Sequence, residues 1–300
     1  MRHLVRLLAL LALAAFVSPV AAQDKVGVVA TFSILGDFAK NVGGDRVDVT
    51  ALVGPDSDTH VYTPTPADAR KIAAAKLVIV NGLGLEGWLP RLVASSKSKA
   101  TVVVATRGIT ARKAPEDGHG HDHGDEADPH AWQAVANAKI YVANIRDALI
   151  AADPDGAAGY RANTEAYLAR LDALDRDIRE AVGKIPPERR HVISTHDAFG
   201  YFAAAYGIEF IAPQGVSTDA EPSARDIATI IRQIKKQKIP AVFLENITDP
   251  RMMRRIAAET GVKIGGTLYS DGLTAENGDA PTYIAMVRHN IKALTSALSE

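Results

Sequence analysis

The chain has 300 residues, 47% of them hydrophobic and 23% charged, with 34 Lys and Arg against 35 Asp and Glu and no cysteine. This is the composition of an ordinary globular protein, long enough for one large core or two medium ones. The near-neutral charge argues against nucleic acid or an anionic membrane as partner, and the lack of cysteine excludes disulfides and thiolate metal ligands.

In chain order, the first 22 residues carry Arg2 and Arg6, an apolar run from Leu7 to Val17 and small residues ending Val20-Ala21-Ala22. A basic head, a short apolar middle and an A-x-A-like end predict a cleaved export signal, the run being shorter than the ~20 residues that span a bilayer. Its removal leaves 32 basic against 35 acidic residues, a net charge of −3. With no cysteine to carry a lipid, the mature chain is expected to be free in a Gram-negative periplasm, without stable membrane insertion.

Strand and helix patterns then alternate. "KVGVVATF", "RVDVTALV", "KLVIVNG" and "ATVVVAT" read as strands; "SILGDFAKNVGG", "PTPADARKIAAA" and "LEGWLPRLVASS" read as helices. Thr65 is placed to cap the second of these, with Pro66 at its first position. From Asp155 to Lys184, Tyr160, Tyr167, Leu168, Leu171, Leu174, Ile178 and Val182 recur three and four apart, the stripe of one long helix, which "IPPE" stops. At ~1.5 Å per residue it runs roughly 40 Å. "RHVISTH", "IEFIAPQG", "AVFLEN" and "KIGGTLYSD" are strands of a second half, separated by helices "DAFGYFAAAYG", "EPSARDIATIIRQIKKQK" and "PRMMRRIAAETG".

The halves are loose copies, as "GPDSDTHVYTPTPADARKI" beside "APQGVSTDAEPSARDI" shows. The predicted fold is α/β, two lobes with mainly parallel sheets flanked by helices, joined by one long rigid helix. The boundaries are residues 1–22 for the signal, 23–153 for the first lobe, 154–185 for the linker helix and 186–300 for the second lobe.

Ligands of open α/β sheets bind beyond the carboxyl ends of the strands. His60, His130, His196 and Asp271 all follow strands, two from each lobe, on the side where an interlobe cleft belongs. A lone loop histidine is more often a surface residue. Four groups placed together make a first shell suited to Zn²⁺ and tolerable for Mn²⁺ or Fe²⁺.

"GPDSDTHVYTPTPADARKI", "VIVNGLGLEGWL", "DPHAW", "STHDAFGYFAAAYGI" and "LYSDGL" resemble, in order and spacing, the periplasmic metal-binding proteins of zinc and manganese ABC importers, the cluster A-I solute-binding class. The resemblance covers nearly all of the mature chain. It implies that His60, His130, His196 and Asp271 match the metal ligands, and that the partner is an importer permease in the inner membrane. Manganese members often carry Glu where this chain has His196, so the resemblance leans to zinc over manganese or iron.

"GHGHDHGDEADPHAW", residues 118–132, then divides into two parts. "DPHAW" supplies His130. The preceding stretch, within a loop at 116–127, has too few apolar residues to pack. Either it is a solvated loop without a role, or it captures metal weakly through His119, His121 and His123 with Asp117, Asp122, Asp125 and Glu126, as His-rich loops of zinc-binding members do. Asp128 and Asp197 either orient imidazoles or cap helices. Glu245 is either such an acceptor or a buried structural group. "NGLGLEGW" lacks the spacing of a dinucleotide fingerprint and reads as a strand-to-loop turn. His191 and His289 read as structural or surface residues.

A secreted zinc hydrolase is the competing class. Catalytic zinc keeps a position open for water, whereas four ligands close the site and no HExxH-type base is present. The expectation is therefore a monomeric binding protein, not an enzyme, with or without a periplasmic metallochaperone to load it. Because imidazole coordinates unprotonated, its affinity should fall below about pH 6.

Overall fold

The computed structural model describes residues 24–114 and 127–299. The expected signal, and the expected metal-capture residues His119, His121, His123, Asp117, Asp122, Asp125 and Glu126, lie outside the described residues.

The first lobe runs β1 (Val26–Phe32), α1 (Ser33–Gly43), β2 (Val47–Val53), α2 (Pro66–Ala74), β3 (Leu77–Val80), α3 (Leu89–Ser96) and β4 (Thr101–Val104). Its four strands are parallel, in the order β2-β1-β3-β4. Central β1 and β3 are buried on both faces, which is why β3 reads LVIV without a break and β1, VGVVATF, carries no charged residue. Then come α4 (Val135–Ala152), a short 3₁₀ turn, and α5 (Ala157–Gly183), the 27-residue helix between the lobes.

The second lobe runs β5 (His191–Ile193), α6 (Gly200–Tyr206), β6 (Glu209–Ile211), α7 (Ala224–Gln237), β7 (Ala241–Glu245), α8 (Arg251–Thr260) and β8 (Lys263–Leu268), and α9 (Tyr283–Leu298) closes the chain. This sheet is also parallel, in the order β6-β5-β7-β8. Each lobe therefore reverses its strand order between its first and third strands, where sheets of this kind open a crevice.

The same capping device opens equivalent helices in the two lobes. Thr65 accepts from the Asp68 backbone N–H while Asp68 accepts from that of Thr65; Ser223 and Asp226 repeat the exchange at α7. This reciprocal pairing satisfies helix N–H groups that have no intrahelical acceptor.

Some boundaries differ from the sequence reading. Helix α6 begins at Gly200, not Asp197, because the Asp197 N–H goes to Gly215 O at 3.1 Å and that of Ala198 to His196 O at 3.0 Å. Helix α3 begins at Leu89 because Gly82, Leu83 and Gly84 all take positive φ and make a turn first. A Cβ on Gly82 would stand 2.8 Å from Val104 Cγ1, so that position needs glycine on two counts.

On α5 the buried stripe is Tyr160, Thr164, Tyr167, Leu171, Leu174, Ile178 and Val182, with Leu168 at its margin. The helix packs on α1 and α4 from one side of the molecule and on α6 and α9 from the other. Buried apolar side chains from both lobes consequently form one continuous core, with a smaller cluster around Ile193, Ile230, Ile234 and Met253 in the second lobe.

Candidate metal centre

His60 follows β2, His130 follows β4, His196 follows β5 and Asp271 follows β8. All four come together where the carboxyl ends of the two sheets face each other, with one potential ligand atom from each within 4.8 Å of the others. His130, His196 and Asp271 are fully buried; the His60 side chain is 5% exposed.

The atoms meet with tight geometry. Nε2 of His60 lies 3.2 Å from Nε2 of His130 and 3.1 Å from Asp271 Oδ2. His196 Nε2 lies 3.4 Å from His130 Nε2 and 3.3 Å from the same carboxylate oxygen, and His130 Nε2 is 3.5 Å from it. Four ligands at ~2.0–2.1 Å from a tetrahedral cation stand roughly 3.3–3.4 Å apart, so these distances are those of a coordination shell. The other oxygen, Asp271 Oδ1, is buried with no hydrogen-bond partner among the described residues. A buried carboxylate oxygen without a donor is costly unless a cation faces it.

The outer nitrogens are held by carboxylates. His130 Nδ1 is 2.9 Å from Asp128 Oδ1, which also accepts the His130 backbone N–H at 3.0 Å. His196 Nδ1 is 2.6 Å from Glu245 Oε2, while Glu245 Oε1 accepts the N–H groups of Thr195 and His196 at 2.8 and 3.0 Å. A proton placed on each Nδ1 leaves the Nε2 lone pair aimed at the common centre. Asp128 and Glu245 thus touch imidazoles, and Glu245 takes backbone donors as well. Asp197 forms no hydrogen bond to an imidazole among the described residues and lies outside α6, so it caps nothing there; burial pushes its carboxyl up from the usual range.

Electrostatics follow from this crowding. Burial opposes a charged His130, but Asp271 and Asp128 outweigh it and push its pKa up to about 9. Burial likewise opposes the charge on His196, yet Glu245 and Asp271 hold its pKa well above the ordinary value. Asp271 is held well below the usual carboxylate range, against its burial, by His130 and His196. Three buried carboxylates around three imidazoles form a site built for positive charge.

Several supporting residues escaped the sequence reading. Ser270 O, next to Asp271, accepts from Trp132 Nε1 at 2.9 Å and Gln133 Nε2 at 2.7 Å, tying the segment of His130 to that of Asp271 across the cleft. Asn290 on α9 pairs with both backbone groups of Tyr269. Asn81 donates to Pro129 O at 2.9 Å, and Trp88 Nε1 donates to Thr59 O at 2.9 Å beside His60. In "NGLGLEGW", buried Glu86 accepts from Thr31, Asn81 and Gly82 and touches none of the four site residues. His289 bonds Thr267 O at 3.1 Å and His191 lies in β5, neither near the cluster.

Two parallel-sheet lobes on one long helix, with imidazoles and a carboxylate converging between them, define a periplasmic metal-binding protein that serves an ABC importer. The chain belongs to the family described as zinc-uptake complex component A, periplasmic (ZnuA), whose model matches residues 28–297. It is 38% identical over 273 residues to the manganese-binding lipoprotein MntA of Halalkalibacterium halodurans, covering 91% of this chain and 88% of that one. It is 34% identical to the iron-binding protein YfeA of Yersinia pestis, covering 94% and 89%. The periplasmic zinc-binding protein TroA of Treponema pallidum superposes with a TM-score of 0.85 at 32% identity, over 92% of this chain and all of that one. MntA's description as a lipoprotein runs against the expectation of a chain without a lipid anchor; the 300 residues contain no cysteine to carry one. Among the described residues no helix is long and apolar enough to cross a membrane.

Proposed function

We propose that His60, His130, His196 and Asp271 hold Zn²⁺ as cargo, and that the protein carries it through the periplasm to the permease of an importer. The observation that carries this reading is the convergence of three Nε2 atoms on one carboxylate oxygen at tetrahedral spacing. Zinc suits such an N₃O set. Four protein ligands favour capture over hydrolysis, since no coordination position is left for an attacking water. The His-rich stretch within 116–127 adds weaker sites that pass metal to the cluster, and the chain divides into a first lobe at 23–153, a linker helix at 154–185 and a second lobe at 186–300.

A second reading has the same role with Mn²⁺ or Fe²⁺. It is favoured by the names of MntA and YfeA and by the unpartnered Asp271 Oδ1, which would let the carboxylate bind through both oxygens and raise the coordination number. Equilibrium dialysis of metal-stripped protein against equal Zn²⁺ and Mn²⁺ at pH 7.5, with and without residues 116–126, separates the two. One tightly held zinc per chain that survives the deletion, with additional weak zinc lost, is the expected result. Preferential manganese retention would reassign the cargo, and no tight metal at all would remove the proposal.

A further inference from the structure

His60 is the one member of the cluster that lines the groove beside the site, together with Leu83, Gly84, Pro129, Gly215 and Ala220. Its loop, residues 54–60, is tied to the opposite lobe on both flanks. On one flank the Asp56 N–H donates to Leu273 O at 2.9 Å, and Asn246 Nδ2 donates to Asp56 Oδ1 at 3.0 Å. On the other, Asp58 splits its carboxylate: Oδ1 accepts the His60 backbone N–H at 2.9 Å, and Oδ2 accepts the Thr218 hydroxyl at 2.6 Å. Thr218 is in turn anchored to the second lobe. Gln214 Nε2 donates to Thr218 O at 3.0 Å and Ala220 O at 2.9 Å, and Gln214 forms a parallel bridge with His196.

We infer that the Asp58–Thr218 contact is an interlobe latch, with Thr218 a positioning residue that sets how fast bound metal leaves. The inference rests on the proposed role of the four-residue cluster. His130, His196 and Asp271 are fully buried on segments pinned to the framework, so a departing cation passes His60. The path opens when the 54–60 loop parts from the opposite lobe. Loops 54–65 and 212–223 occupy equivalent places in the two lobes, each linking the second strand of its sheet to a helix opened by a capping box. The latch is therefore a contact between corresponding loops. A permease that presses on the 215–220 segment would draw Thr218 off Asp58 and release His60 without any swing of the lobes.

The test is the rate at which zinc-loaded full-length protein yields metal to excess chelator in stopped flow, with bound zinc per chain measured beforehand. Thr218→Val keeps the side-chain shape and removes the hydroxyl, and should speed release about tenfold, the size expected for a lost hydrogen bond to a charged acceptor. Thr218→Ser keeps the hydroxyl and loses the methyl, and should release at the wild-type rate; a packing defect would give the opposite order. Asp58→Asn keeps an acceptor for the His60 N–H but turns an amide N–H toward the Thr218 hydroxyl, so the charge-assisted bond gives way to a weaker neutral one and release should also speed up. Combined with Thr218→Val it should add little, because both act on one contact. Equal rates for wild type and Thr218→Val, with one zinc bound to each, would overturn the latch and leave the site intact. Absence of a tight zinc from the wild type would overturn both.

Discussion

A proton on Nε2 of His130 occupies the lone pair that a cation would use. Asp271 and Asp128 push the pKa of this imidazole up to about 9 despite its burial, so at neutral pH a metal ion must displace at least one proton to bind. Affinity should therefore weaken at least tenfold per pH unit across pH 8 to 6, the more so because His196 is also held well above the ordinary value, measured by competition with a chelator of known pH dependence. The sequence reading put the fall below about pH 6, at the ordinary imidazole pKa. Constant affinity between pH 6 and 8 would contradict the structure. The four cluster residues were legible because each follows a recognisable strand, and the strand ends of parallel sheets converge. The carboxylates behind them were legible only in part: Asp128 is two residues from its imidazole, but Glu245 reaches His196 from 49 residues away. Trp132 and Gln133 act across the cleft on Ser270, a pairing that no local spacing encodes.

Helix beginnings show how far short-range pattern carries. Thr65 and Pro66 marked the start of α2, and the structure adds the return bond from Asp68. That carboxylate is held below its usual range, although burial works against it, by bonds from Thr65, Lys71 and Tyr62. Its contribution to stability is thus present above the ordinary carboxyl pKa of about 3.9 and lost only as pH falls through the lower folded value. At pH 7, Thr65→Ala should cost about 1 kcal/mol and lower the melting temperature by about 1.5–2 °C in a chain of this size. A calorimetric scan reads this directly, and an unchanged midpoint would mean that the cap contributes nothing. Two elements escaped the sequence reading. Val135, Ala138, Tyr141, Val142, Ile145 and Leu149 of α4 follow helical spacing and were legible in principle. Helix α9 buries Tyr283, Ile284, Met286, Val287, Asn290, Ile291, Leu294 and Leu298 at the same spacing and was equally legible in principle.

Across the whole molecule, α5 does more than separate two sheets. Its stripe is buried against helices from both sides, and the apolar core runs through it without a break. The lobes should therefore unfold together. Metal-free protein is expected to melt in a single calorimetric transition, and Leu171→Ala, at a fully buried stripe position, should move that transition as a whole by the equivalent of about 2–5 kcal/mol. Two transitions, of which only one responds, would mean that the lobes are independent. The repeated strand, loop and Pro-opened helix were visible in the sequence, whereas the strand order and the second capping box were not. Nor was the fusion of the lobes into one core, since it depends on contacts between segments more than a hundred residues apart. Lys113 and Ala127 pair as an antiparallel bridge, and the Asp128 N–H donates to Arg112 O at 2.9 Å, immediately before His130. Residues 113 and 127 are thus held side by side, and because closing a longer loop adds only about 0.6 kcal/mol per doubling, an insertion between them should leave the register of His130 unchanged. For engineering, this is a socket: a fluorescent reporter spliced between Lys113 and Ala127 would sit three residues from the cluster, positioned to turn metal occupancy into an optical signal.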